Sequence, residues 1–287
     1  MNSVQALIYE GTSINPTIST VNIGSYQNTI YEWDGHDPTV LFCHATGFHG
    51  MIWRRVVEKL KGTHCISIDL RGHGQSTKTD SSYDWDTFVP DIENITQQLE
   101  LNTVIGVGHS MGGHIITSAA IKNPTLYRGL ILCDPSIFDS TKYFIPKPNY
   151  RKKIHPVAKR KNSWTSVEEM YQRLSQHPNF SQWEKDVLRD YCQFGLTWSN
   201  EVGSYILSCP PGVEADMYGA YIDPSILQQI PLYKNPVRIL LARGRTENDT
   251  PGDFGPSITR TDLADLFPNA SSIQYSNLTH FNTTGGY

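Results

Sequence analysis

Gly108-His109-Ser110-Met111-Gly112-Gly113 follows a short β-branched run, Thr103-Val104-Ile105-Gly106-Val107, and leads into Gly112 to Lys122, rich in alanine, isoleucine and small residues. The first reads as a buried strand and the second as a helix packed on a sheet. Ser110 therefore sits at a strand-to-helix turn of the kind called a nucleophile elbow. Glycines at 108 and 112 permit the tight backbone, the hydroxyl projects outward, and the first helical N–H groups carry partial positive charge. A serine in a glycine-rich turn is otherwise a helix cap; the flanking strand and helix favour the elbow.

Working outward, strand-like and helix-like segments alternate, the pattern of a mostly parallel sheet covered on both faces. Thr17 to Ile23 and Asn28 to Trp33 predict an opening hairpin, and Thr39 to Cys43 is a continuous apolar run. Met51 to Lys61 reads as a helix with Ile52, Val56 and Leu60 on one stripe. His64 to Ile68 is the next strand, closed by Asp69 and the turn Arg71-Gly72-His73-Gly74, and Asp84 to Leu99 is helical. Strands recur at Gly129 to Cys133, Pro236 to Ala242 and Ser271 to Tyr275. Between the first two of these the apolar residues spread out, aromatics multiply and helical patterns appear around Val167 to Ser175 and Gln182 to Phe194. The expected architecture is a doubly wound, mostly parallel eight-stranded α/β sheet formed by residues 1–134 and 233–287, with residues 135–232 inserted as a helical cap.

Composition narrows the partners. A formal charge of -4 over 287 residues and a pI near 6.2 argue against nucleic acid, which favours a basic surface. No stretch of about 18 apolar residues occurs, and the start lacks a basic region followed by an apolar run. These features predict neither a membrane span nor a secretion signal. Five unclustered cysteines, three of them in apolar runs, read as free thiols in a reducing, cytoplasmic compartment. Neither zinc-ligand spacing nor a nucleotide-binding glycine pattern is present, so no metal or organic cofactor is expected.

A nucleophilic serine needs a base, and the base an orienting carboxylate. Of ten histidines, His280 alone follows the last predicted strand. From that loop it can reach the elbow at the carboxyl end of the sheet, where open α/β folds place ligands.

With these residues assembled, the chain resembles the capped, serine-nucleophile α/β-hydrolases, a group of small esterases, lactonases and carbon–carbon hydrolases. The likeness rests on Val40 to His44, Trp53, Asp69-Leu70-Arg71-Gly72-His73-Gly74-Gln75-Ser76, the elbow and His280-Phe281. It implies that the backbone N–H of Thr46, after the pair His44-Ala45, and that of Met111 hold an oxyanion, each donor contributing about 3 kcal/mol in the transition state. It offers two places for the acid: Asp134 at the pre-cap strand end, as in several small esterases, or Glu247 or Asp249 after the next strand. Asp134 is preferred and the other two remain alternatives.

The implied reaction is two-step acyl transfer on a small apolar ester or lactone, with Phe48, His109, Phe144 and Trp164 as candidate pocket residues. His44, His73 and His109 are expected to be structural, and Lys159-Arg160-Lys161 a solvated face of the cap. Serine at 110 disfavours dehalogenase and epoxide hydrolase chemistry, which need aspartate there. A hydrolase-fold ligand sensor with little turnover and a carbon–carbon hydrolase using the same triad are the rival readings. Relatives continue past the histidine into a last helix, whereas Phe281 to Tyr287 is short. That helix is expected to be missing or reduced, leaving an apolar strip of sheet that a second subunit could cover; monomer and homodimer both stay open.

Overall fold

The computed structural model describes residues 15–79, 82–138, 155–249 and 255–281. An eight-stranded sheet forms its centre. In chain order its strands are β1 (Thr17–Ile23), β2 (Tyr26–Trp33), β3 (His36–Cys43), β4 (Thr63–Asp69), β5 (Val104–His109) and β6 (Tyr127–Cys133). Between β6 and the last two lie three short strands, β7 (Ser163–Trp164), β8 (Leu196–Ser199) and β9 (Ser204–Leu207); β10 (Val237–Leu241) and β11 (Ala270–Gln274) complete the large sheet. Its spatial order is β1-β2-β4-β3-β5-β6-β10-β11. The β1–β2 and β2–β4 pairs are antiparallel and the remainder parallel.

Period-two alternation splits the apolar runs between two cores. Leu41, Cys43, Ile66 and Ile68 face one side, where they meet α2 (Val89–Gln98) and α3 (Met111–Lys122) through Ile92, Ile95, Ile115 and Ile116. Val40, Phe42 and Cys65 face the other, with Ile52, Trp53 and Val57. The predicted helix from Met51 to Lys61 is shorter than expected: a 3-10 turn, Gly50–Trp53, runs into α1 (Arg54–Val57). Beyond it the N–H groups of Lys59 and Leu60 bond to carbonyls three residues back, tightening the chain into a turn at Gly62, which has φ +80.

The interval between β6 and β10 holds α4 (Val167–Ser175), α5 (Lys185–Phe194), α6 (Pro211–Tyr218) and α7 (Ile226–Gln229). It also holds a three-stranded antiparallel sheet, β7-β9-β8, that the helical expectation did not include. Trp164, Met170, Leu174, Trp183, Leu188 and Tyr191 from this interval join the core cluster of Phe42 and Trp53. A last short helix, α8 (Leu263–Leu266), precedes β11. On the face away from α3, Ile131 of β6 and Ile273 of β11 are 37% and 36% exposed.

Strand order locates the site. From β3 the chain crosses to β4 on one side and then to β5 on the other, so the carboxyl ends of β3 and β5 diverge at a topological switch point, where such sheets form a crevice. Register does the rest: Cys43 pairs with Gly108, and His109 with Cys133. The segments beginning at His44, Ser110 and Asp134 therefore leave the sheet side by side.

Candidate active site

Ser110 caps α3 with φ 53 and ψ -119, a conformation that costs a non-glycine residue on the order of 1–3 kcal/mol and persists only where its surroundings enforce it. Here they do. A Cβ on Gly108 would drive into the backbone of Gly112 and Gly113, and one on Gly112 into the carbonyls of Cys43 and His44. The helix is thus drawn against the ends of β3 and β5, and the Ser110 side chain points away from that contact.

His280 Nε2 lies 3.0 Å from Ser110 Oγ, and His280 Nδ1 lies 2.5 Å from Asp134 Oδ2. All three residues are buried. Asp134 also sits in a left-handed backbone conformation, φ 43, with its N–H bonded to the Leu240 carbonyl at 2.7 Å. Its carboxylate accepts from Ala242 N at 3.1 Å, Ile258 N at 3.3 Å and the hydroxyls of Ser257 and Thr259. Burial works to raise the carboxyl's pKa; the bond and charge of His280, with Ser257 and Ala242, outweigh it and hold Asp134 below its ordinary value. Of the alternative acids, Glu247 is exposed. Asp249 is tied to the Arg243 guanidinium at 2.6 and 2.9 Å, which with Thr246 lowers its carboxyl pKa. Neither carboxylate is brought to His280.

On the opposite side of Ser110, Thr46 Oγ1 lies 3.3 Å from Met111 Sδ, so the loop after β3 and the start of α3 touch. Among the described residues neither the Thr46 nor the Met111 N–H meets a protein acceptor. The loop is held through its neighbours. Gly47 N donates to His73 Nε2 at 3.0 Å, and Gly50 N to Asp69 Oδ1 at 2.6 Å. Asp69 Oδ2 accepts from Tyr31 Oη and Gln75 N, at 2.9 and 2.7 Å. His44 bonds the Ala45 carbonyl through Nδ1 and accepts Leu70 N on Nε2. Burial depresses the pKa of both imidazoles, that of His73 to about 3, keeping them neutral. The Arg71-Gly72-His73-Gly74 turn thus serves as a scaffold for the loop at Thr46.

Phe48 is buried among aromatic rings. Its ring centroid is 5.6 Å from those of His109 and Trp183, 5.3 Å from Tyr191 and 6.2 Å from Phe281. His109 Nε2 donates to the His280 carbonyl at 2.8 Å, pinning the loop that carries that histidine. Trp164, in β7, is buried in the same apolar core, its ring under the Lys161 ammonium at 4.4 Å. Phe144 falls outside the described residues. Arg160, expected on a solvated face, is half-buried and bonded to Glu214 Oε2 at 2.6 Å and Tyr191 Oη at 3.4 Å. Among the described residues no group of three or more His, Cys, Asp or Glu side chains could hold a metal ion, and no helix is long and apolar enough to cross a membrane.

A family model described as the alpha/beta hydrolase fold matches residues 38–182, just over half of the chain. The chain belongs to the α/β-hydrolase family. Along most of its length it is similar to the AB hydrolase superfamily protein YisY of Bacillus subtilis, 27% identical over 252 residues covering 83% of this chain and 85% of that protein. It is 30% identical over 115 residues to the 2-(acetamidomethylene)succinate hydrolase of Mesorhizobium japonicum, a match that spans 40% of this chain and 41% of that protein. The crystal structure of an E-2-(acetamidomethylene)succinate hydrolase superposes with a TM-score of 0.71 at 20% identity, covering 93% of this chain and 92% of that one.

Within this α/β-hydrolase frame, sequence reasoning did not find the groups that hold the candidates in place. Ser257 and Thr259 grip Asp134, Trp183 and Tyr191 back Phe48, and Ser136 meets Ser110. Only Ser136 carried a usable signal, its place two residues beyond Asp134 at a strand end.

Proposed function

We propose that this member of the α/β-hydrolase family is a serine hydrolase that cleaves small carboxylic esters or lactones through an acyl-enzyme on Ser110. The observation that carries the reading is the 3.0 Å approach of His280 Nε2 to a strained, buried Ser110, with the Asp134 carboxylate 2.5 Å behind the imidazole. Neutral His280 removes the serine proton as Oγ attacks the carbonyl. The N–H groups of Thr46 and Met111 donate to the developing oxyanion, and Asp134 stabilises the imidazolium. The proton then passes to the leaving alcohol, and water cleaves the acyl-enzyme by the same steps. Phe48, His109, Trp183 and Tyr191 supply an apolar, aromatic wall suited to an uncharged acyl or alcohol group.

The experiment is labelling with a fluorophosphonate probe beside a panel of p-nitrophenyl esters and lactones. Wild type is expected to be labelled at Ser110 and to turn over at least one panel compound, and Ser110→Ala to do neither. Because one similar protein is named for 2-(acetamidomethylene)succinate, that acid belongs in the panel. Turnover of it or of a vinylogous diketone, with esters untouched, would move the substrate class. Labelling with no turnover at all would favour a ligand sensor built on the same fold.

A further inference from the structure

The hydroxyl of Ser136 stands 3.0 Å from Ser110 Oγ, as close as the imidazole of His280. Ser136 is 3% exposed, and its backbone N–H donates to the Ser110 carbonyl at 2.9 Å. The elbow residue is therefore gripped twice by one neighbour, once at its backbone and once at its reacting atom. Counting protons gives the direction of the second bond. With Asp134 ionised, neutral His280 donates from Nδ1 to that carboxylate, so Nε2 is the acceptor and takes the single Ser110 proton. Ser136 must then donate its own proton to Ser110 Oγ.

On the acyl-transfer reading given above, on which this inference rests, we propose that Ser136 is a further catalytic residue: its hydroxyl donates to the serine oxygen as that oxygen departs from the acyl group. In deacylation a water oxygen bonds to the acyl carbon and gives a proton to His280. The tetrahedral intermediate collapses, the carbon–Oγ bond breaks with its electron pair passing to Oγ, and His280 returns the proton there. Ser136 keeps its own proton throughout. The Oγ of an acyl-enzyme is an ester oxygen, a weak acceptor, and its charge grows as the bond breaks. The Ser136 bond therefore strengthens toward the transition state, which is the condition for accelerating a step. In acylation the starting group is a free hydroxyl that already accepts the bond well, so the gain is smaller.

Removal of Ser136 accordingly slows the two half-reactions unequally. Ser136 also borders a partly open pocket shared with His114, Ile137 and Ile226.

The test uses whichever panel ester wild type hydrolyses fastest, with rapid-quench mass spectrometry following the acylated fraction of Ser110 and product release giving the turnover. Ser136→Ala is expected to deacylate about tenfold more slowly, the worth of a hydrogen bond to a charged oxygen, so that acyl-enzyme accumulates while acylation changes less. Ser136→Thr, which keeps the hydroxyl, is expected to restore the wild-type balance. Parallel slowing of both steps, an unchanged balance in Ser136→Ala, or a threonine variant that behaves like alanine would overturn the inference. A wild type that never acylates at Ser110 would instead fail the acyl-transfer reading itself.

Discussion

The two flanks of Ser110 are built differently. Toward β6 and β10, Asp134 gathers four protein donors besides His280 onto one buried carboxylate. Toward β3 and β4, neutral histidines and Asp69 hold Gly47, Gly50 and Leu70, and leave the N–H groups of Thr46 and Met111 to themselves. On the proposed acyl-transfer reading, the difference follows from what each flank has to do. A charge that stays put is stabilised by saturating it with donors, whereas donors kept for an incoming oxyanion have to be positioned through their neighbours. Saturation also explains why Asp134 tolerates burial with a lowered carboxyl pKa, and neutrality why the histidines add no competing charge beside the oxyanion site.

The comparison breaks most readily on the charged flank. Asp134→Asn is expected to cost about ten-thousandfold in kcat while leaving the far-ultraviolet circular dichroism unchanged, because the amide no longer fixes the His280 tautomer. Glu247→Gln and Asp249→Asn in the same assay should stay near wild type. A near-normal Asp134→Asn enzyme would remove the distinction between the flanks. On the β3–β4 flank, His73→Leu loses the acceptor for Gly47 and lets the loop at Thr46 drift. The expected loss is on the order of tenfold to a hundredfold in kcat/KM, less than deleting an oxyanion donor outright, with fluorophosphonate labelling slowed in proportion. Unaltered kinetics in that variant would mean that the loop is positioned by something else.

A separate effect is one of stability. Burial holds His73 at about 3 and His114 at about 4, against about 6.5 in the unfolded chain. Between those values the unfolded chain binds protons that the folded one refuses. Stability is thus complete above about pH 6.5 and falls as pH drops toward 4, by about 1.4 kcal/mol per pH unit for each such histidine. Urea unfolding at a series of pH values measures the slope. A flat profile from pH 7 to pH 5 would contradict neutral burial.

How much of this was legible in the sequence depended on whether a feature is local. The strands announce themselves because both faces are covered and the runs are apolar, and the elbow because glycine is needed on each side of Ser110. By contrast β7 to β9 are strands of two to four residues, several of them exposed, with too short a period to read. The choice among Asp134, Glu247 and Asp249 could not be made from spacing, since each follows a strand. What separates them is contact: Asp134 meets His280, whereas Glu247 is exposed and Asp249 is tied to Arg243. Ser257 and Thr259 were invisible for the same reason, being joined to Asp134 across more than a hundred residues of chain.

The most direct test of the central claim is the covalent state of Ser110 during turnover. Wild type quenched in the steady state with p-nitrophenyl acetate should carry one acetyl group on the peptide containing Ser110. That group should be absent from Ser110→Ala and should decay at the rate of product formation. Sustained hydrolysis with Ser110 unmodified at every quench time, and undiminished in Ser110→Ala, would contradict nucleophilic catalysis at the elbow.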